Sequence, residues 1–341
     1  LIQHLNSDTL QAIVVFPASE PDVSKAVLFS TAHKLELAVR GGGHATSGSS
    51  STDGGLCIDL SKMRSVSVDA ASKTITAQGG ALWSDVDTEA EKFGLAAVGG
   101  TVNHTGIGGL TLGGGYGYLT GEVGLVLDNL LEVELVLVDG SIVMASETEN
   151  KDLFWAIRGA GPSFGVATKF VYRAHEQKGL VWGGMLVFPK TQLKQVITFA
   201  NTVLEEGNGD KTMLVGFSAP PPAFQPAIIA VVFYNGEEEN AKKFFEPLLS
   251  LGPLANITAA MPYSGVNAML NAEMGHGFRR KCVTTPQKYF FLLTYVLISA
   301  SQHERLRLPR ASNPLLRREH LRRFRSLHHP CPRRRHDSRA L

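Results

Sequence analysis

The chain has 341 residues, of which 44% are hydrophobic, three are cysteine, and the formal net charge is +2. That content supplies a core for one large domain or two ordinary ones, and it excludes a charge-rich disordered chain or a disulfide-framed miniprotein. The longest apolar run, 289–300, is too short and too mixed to cross a bilayer, so no membrane span is expected. Cys57, Cys282 and Cys331 are far apart and form no metal-ligand pattern.

Residues 11–16 read as a short strand. Ser19-Glu20-Pro21-Asp22 reads as a helix start, with Ser19 as the cap, Asp22 reaching back as in a capping box, and Pro21 tolerated in the first turn. Val23, Ala26, Val27 and Ser30 share one face, which predicts a helix to about Lys34. Leu35, Leu37 and Val39 then alternate as a strand and feed the run Arg40-Gly41-Gly42-Gly43-His44-Ala45-Thr46-Ser47-Gly48. Three consecutive glycines cost backbone entropy and mark a turn whose N–H groups approach something closely, often an anion. His44 ends this turn and reads as a ligand, a base, a nucleophile or a bystander bonded to backbone.

Residues 57–60 read as another strand, and 66–68 with 74–77 as a hairpin around 69–73. Leu82, Val86, Ala90 and Phe93 repeat at helical spacing, with Gly94 as the stop. From Gly99 to Leu125 the chain is so glycine-dense that a helix costs about 1 kcal/mol per glycine. It is read as coil and turns around a ligand. Asp139-Gly140 joins strands 130–138 and 142–145 as a hairpin. A short helix over 150–158 ends at Gly159, and a further glycine loop runs into a strand over 166–174. The absence of regular βα alternation argues for an α+β fold.

A domain boundary is expected near 176–179. Beyond it, 180–188, 212–218, 227–234 and 288–298 read as strands, and 193–204 and 240–249 as helices, the second weakened by Pro247. Met274-Gly275-His276-Gly277-Phe278-Arg279-Arg280 is the one unusual segment there. Residues 301–341 hold twelve Arg against Glu304, Glu319 and Asp337, so this tail is +9 and the rest of the chain −7. None of the 35 glycines lies in it. Such a tail would suit nucleic acid, but the abrupt change reads as sequence never selected to fold, as after a shifted reading frame. No nucleic-acid partner is expected.

Other ligand classes fit the glycine loops less well. Gly113 to Gly117 does not complete the spaced dinucleotide fingerprint, and no Gly-Lys-Ser/Thr follows a strand as in a P-loop. His33, His44 and His104 lack zinc-ligand spacing, and no metal site is expected. No Gly-x-Ser-x-Gly elbow surrounds Ser47, Ser49 or Ser50.

Four segments carry a resemblance: 40–48; 106–109 with 113–117; Asp128-Asn129 with the 131–138 strand and Asp139-Gly140; and 159–166. In order and spacing over roughly 10–175 they are similar to the FAD-linked oxidases of the vanillyl-alcohol-oxidase/p-cresol-methylhydroxylase (PCMH) fold, berberine-bridge-enzyme-like group. The resemblance implies a two-subdomain PCMH-type FAD-binding domain over 1–176, a partial α+β substrate domain with an antiparallel sheet over 177–300, and an aberrant tail over 301–341. It implies FAD, with the pyrophosphate on the backbone of Gly41, Gly42, Gly43, His44 and Ala45, beside Arg40 and Gly48. Thr101, Gly106, Gly109, Gly113, Gly114, Tyr116 and Gly117 would line the later loops, and the adenine end would approach Gly165 and Val166.

At His44 the family attaches the flavin covalently through its 8α carbon. Val102 stands where many relatives place a second, cysteine link, so a single link is expected. Leu110 stands where a histidine is frequent, while Tyr116 and Tyr118 either edge the flavin or pack. The implied activity is hydride transfer from a small organic molecule (alcohol, sugar, phenolic, amine or polyketide) to flavin, with dioxygen as acceptor. The alternative is an inactive flavin-binding relative, because the family's catalytic C-terminal part is not recognisable here.

Overall fold

The computed structural model describes residues 12–177, 179–206, 208–219, 225–272 and 274, and the backbone of 280–287 and 290–297. The described residues belong to one compact unit, and the basic tail over 301–341 lies outside them.

The first layer is β1 (Ile13–Val15), α1 (Glu20–Ala32), β2 (Leu37–Arg40) and β3 (Leu56–Asp59). The strands are parallel in the order β1-β3-β2, and the central β3 is buried along its length. Val23, Ala26 and Val27 of α1 pack on Leu56 and Ile58. The expected capping box does not form. The Asp22 carboxylate accepts from the Ser19 hydroxyl (2.9 Å) and the Ala18 amide, so it braces the turn before the helix while Ser19 leaves the helix N–H groups alone.

The second layer contains β4 (Val66–Asp69), β5 (Thr74–Gln78), α2 (Trp83–Glu91), β6 (Leu95–Ala96), α3 (Ile107–Leu112) and α4 (Thr120–Val123). It continues through β7 (Leu130–Val136), β8 (Ile142–Ser146), α5 (Lys151–Ala160), β9 (Val166–Arg173) and β10 (His175–Glu176). An antiparallel sheet runs β4-β5-β9-β7-β8, and both expected hairpins are in it. The helical conformation of α5 breaks at Arg158 and Gly159, as expected.

The glycine-dense stretch corrects the expectation of coil alone, because α3 and α4 form within it. Burial outweighs the propensity cost: Ile107, Thr111 and Leu112 are in the core. The Thr111 hydroxyl also donates to the Ile107 carbonyl (2.8 Å) and hydrogen-bonds the buried Tyr172 hydroxyl (2.8 Å).

The third layer comprises β11 (Val181–Pro189), α6 (Leu193–Glu206), β12 (Lys211–Ser218), β13 (Ala227–Tyr234), α7 (Glu238–Leu249), β14 (Ala255–Met261), α8 (Tyr263–Val266), β15 (Arg280–Gln287) and β16 (Phe290–Leu297). Its sheet order is β14-β11-β13-β12-β16-β15, antiparallel except for β12 with β16. One face packs Trp182, Phe188 and Val232 under Phe199 of α6 and Phe245 of α7. The other turns Val181, Val231 and Phe233 into the core that holds Trp83, Tyr118 and Tyr172. β14, α8 and β15 are absent from the sequence reading. β14 is an edge strand with Ile257 66% exposed, so its sequence carries little of the alternation that marks a half-buried strand. Residues 275–279 of the unusual segment lie outside the described residues.

The layers meet at a buried polar knot. Asp87 of α2 accepts from Asn267 Nδ2 (3.0 Å) just beyond α8. Burial pushes its carboxyl up to about 7; the Asn267 bond opposes the shift and the Glu91 charge adds to it. A raised folded-state pKa favours folding when the group is protonated. This contribution is therefore complete below the usual 3.8 and is lost as pH rises to about 7. Asp87→Asn is expected to flatten the pH dependence of the melting temperature over that window. At pH 8 it should stabilise the protein by up to about 4 kcal/mol, measured by urea unfolding at several pH values.

Candidate functional site

The site begins where β2 delivers Arg40. Its Nη1 donates to Asp59 Oδ2 at 2.6 Å, and Asp59, 2% exposed at the end of β3, also accepts from the Ser61 amide at 3.0 Å. The partnership fixes the guanidinium beneath the glycine turn. Arg40 Nε is buried without a hydrogen-bond partner among the described residues, and it lies 3.3 Å from where a Cβ on Gly43 would sit. A buried donor left unmade is costly, so an anion laid on this turn would satisfy it. Arg40→Leu removes the cation paired with Asp59. It is expected to destabilise the unliganded protein by on the order of 3 kcal/mol, read by thermal or urea unfolding.

Gly43 has φ +69°, a conformation that L side chains resist. Gly42 lies against the second loop so closely that a Cβ would overlap the Gly106 amide, and the reverse holds for Gly106. That second loop is pinned independently. Ile107 N donates to Ala81 O (3.0 Å), Trp83 N to Thr105 O (3.1 Å) and Ser84 N to Asn103 O (2.8 Å). Two glycine backbones thus form one narrow cradle, with Gly41 and Ala45 half-buried along it. Gly48 closes the first turn, donating its N–H to Ala45 O at 3.1 Å.

His44 is half-buried at the end of the cradle. Its Nε2 is 2.7 Å from His104 Nδ1, and the rings lie 4.7 Å apart at 33°. On its other side, His104 Nε2 faces the Asn271 carbonyl at 3.4 Å. His33, the third histidine weighed for a metal, lies tilted at 41° against Phe29, ring centroids 4.3 Å apart. Among the described residues no three His, Cys, Asp or Glu side chains gather as a metal site.

The remaining expected residues fall into two groups. Thr101 is half-buried, Gly109 and Gly113 are exposed, Gly114 is buried with φ +117°, and Tyr116 is 48% exposed. These lie along the second loop. Others pack inward. Val102 is in the core, Leu110 reaches Gly100, and Tyr118 is fully buried 5.3 Å from Phe233. Gly117 touches the Gly99 carbonyl, and Gly165 sits where a Cβ would meet Val136 O at 2.6 Å. Val166 is buried with Val136 and Val23. Asn129 braces the loop end, donating Nδ2 to the carbonyls of Val123 (3.0 Å) and Leu125 (2.9 Å) and pairing Oδ1 with His175 Nε2 (2.7 Å).

Residues 11–146 match the FAD binding domain family. FAD-linked oxidoreductase pgmH of Aspergillus terreus is 45% identical over 252 residues, which cover 72% of this chain and 51% of that protein. The crystal structure of 6-hydroxy-D-nicotine oxidase from Arthrobacter nicotinovorans aligns with TM-score 0.72 and 33% identity, over 79% of this chain and 60% of that one. Glucooligosaccharide oxidase from Acremonium strictum, described with a 6-S-cysteinyl, 8α-N1-histidyl FAD, aligns with TM-score 0.63 and 27% identity, over 77% of this chain and 56% of that one. Residues 11–146 thus carry an FAD binding domain, and the chain is similar to FAD-linked oxidoreductases in sequence and to PCMH-type oxidases in fold. It spans about half the length of the curated relatives it matches.

Proposed function

We propose that the protein is an FAD-dependent oxidase of a small organic molecule. The observation that carries the reading is the Arg40 Nε donor, buried beside a glycine cradle too narrow for side chains. Both features suit a pyrophosphate, which needs close backbone N–H groups and a fixed cation. Residues 12–176 would hold the cofactor, and 177–300 would supply the substrate side. When bound, FAD supplies the hydride acceptor and the route of electrons to dioxygen.

The chain's own part is to hold and shield. Arg40 and the amides of residues 41–45 bind the diphosphate. The buried sheet face of β13, with Val231 and Phe233, excludes water behind the second loop. His44 is the proposed site of a single covalent link, and the valine side chain at 102 cannot make a second. The Acremonium relative, described with a histidyl flavin, supports that assignment.

The test is flavin content and substrate-dependent hydrogen peroxide over a panel of alcohols, sugars, phenolics, amines and polyketides. Peroxide with one class supports the oxidase reading. Bound flavin that no class reduces would favour a flavin binder without this activity.

A further inference from the structure

We infer that His104 is a positioning residue that sets the tautomer of His44 through the Asn271 carbonyl. The inference rests on His44 being the attachment site and specifies how that site is prepared.

A backbone carbonyl only accepts, so the His104 Nε2 that faces Asn271 O at 3.4 Å carries a proton. In the neutral ring the lone pair is then on Nδ1. That nitrogen lies 2.7 Å from His44 Nε2, which must donate. With both rings neutral, the proton of His44 is on Nε2 and its lone pair is on Nδ1. The opposite arrangement would set the bare Nε2 of His104 against a carbonyl oxygen.

The carbonyl is itself fixed. The Asn271 amide N–H donates to Ala268 O (3.0 Å) and its side chain to Asn103 Oδ1 (2.6 Å), while Asn103 N donates to Asn267 O (2.8 Å). The turn after α8 is thus stitched to the loop that carries His104. A segment some 170 residues downstream, |i−j| = 167, thereby dictates which nitrogen of His44 is nucleophilic.

In the attachment step, the Nδ1 lone pair of His44 forms the bond to the flavin 8α carbon. That carbon gives up one C–H proton, and His44 gives up its Nε2 proton to His104. Two electrons pass into the flavin ring, and dioxygen removes them with the two protons as hydrogen peroxide.

The experiment uses the full chain, reconstituted with FAD, as wild type, His104→Leu and His104→Asn. Asparagine returns an acceptor oxygen near the position of Nδ1, and leucine does not. Flavin in the acid-precipitated pellet is compared with total bound flavin at a fixed time. Leucine is expected to lower the acid-stable fraction at least tenfold without lowering total flavin, and asparagine to restore most of it. A leucine variant that attaches flavin as fully as wild type overturns the inference.

A second readout needs neither flavin nor a change at His104. Long-range ¹H–¹⁵N correlation of the imidazoles, with His44 assigned by its loss in His44→Gln, reports the tautomers directly. Nε2–H on both rings supports the inference, and Nδ1–H on His44 overturns it. If wild type binds flavin with none attached to His44, the attachment reading fails, and the tautomer measurement still decides the role of His104.

Discussion

His44→Ala is expected to bind FAD and to release all of it into the supernatant on acid precipitation, where wild type keeps flavin in the pellet. The imidazole is the only group at the end of the cradle proposed to bond the cofactor, so the acid-stable fraction should fall from nearly complete to zero. Affinity should change far less, by under about tenfold, or ~1.4 kcal/mol. Most of the proposed binding groups are backbone amides and Arg40, and Arg40 is held by Asp59 whatever stands at 44. The measurement is flavin absorbance in pellet and supernatant, followed by identification of the flavin-bearing peptide. Acid-stable flavin in the variant would show that the link is elsewhere.

Gly42→Val should have the larger effect on binding. A Cβ there overlaps the Gly106 amide, and Gly106 cannot retreat because its neighbours are pinned to Ala81 and Trp83. Overpacking of this kind costs about 1–3 kcal/mol and here also splays the two loops that form the cradle. Bound flavin after reconstitution should fall below about a tenth of wild type. Gly43→Ala should fall between the two. Its φ of +69° imposes a strain of order 1 kcal/mol or more, but its Cβ would touch only the Arg40 side chain, at 3.3 Å. Equal flavin content in all three proteins would remove the cradle from the binding site.

The turn residues and the periodic elements were legible because their signals are local. α1 and α2 follow the spacing of Val23, Ala26 and Val27 and of Val86 and Ala90. The hairpin at Asp139-Gly140 follows from a dipeptide that accepts positive φ. α3 was not legible, since its glycines argue against a helix and only the buried contacts of Ile107 and Thr111 reverse the balance. Strand β14 hid for a related reason: an edge strand with one ladder to β11 needs little alternation of its own.

Local sequence specifies the glycine loops, His44 and Arg40, because close backbone approach and anion contact leave few residue types to choose from. It also determined the α+β mixture, through the order of its periodic segments. Long-range packing, by contrast, leaves Arg40 Nε buried beside Gly43, sets Gly42 and Gly106 in one cradle, and puts Val166 in the core. The same holds for the chain from Asn271 through His104 to His44. A hydrogen bond across 60 or 167 positions has no periodic trace in a sequence, for it exists only once separate layers have packed and their unpaired polar groups must find one another.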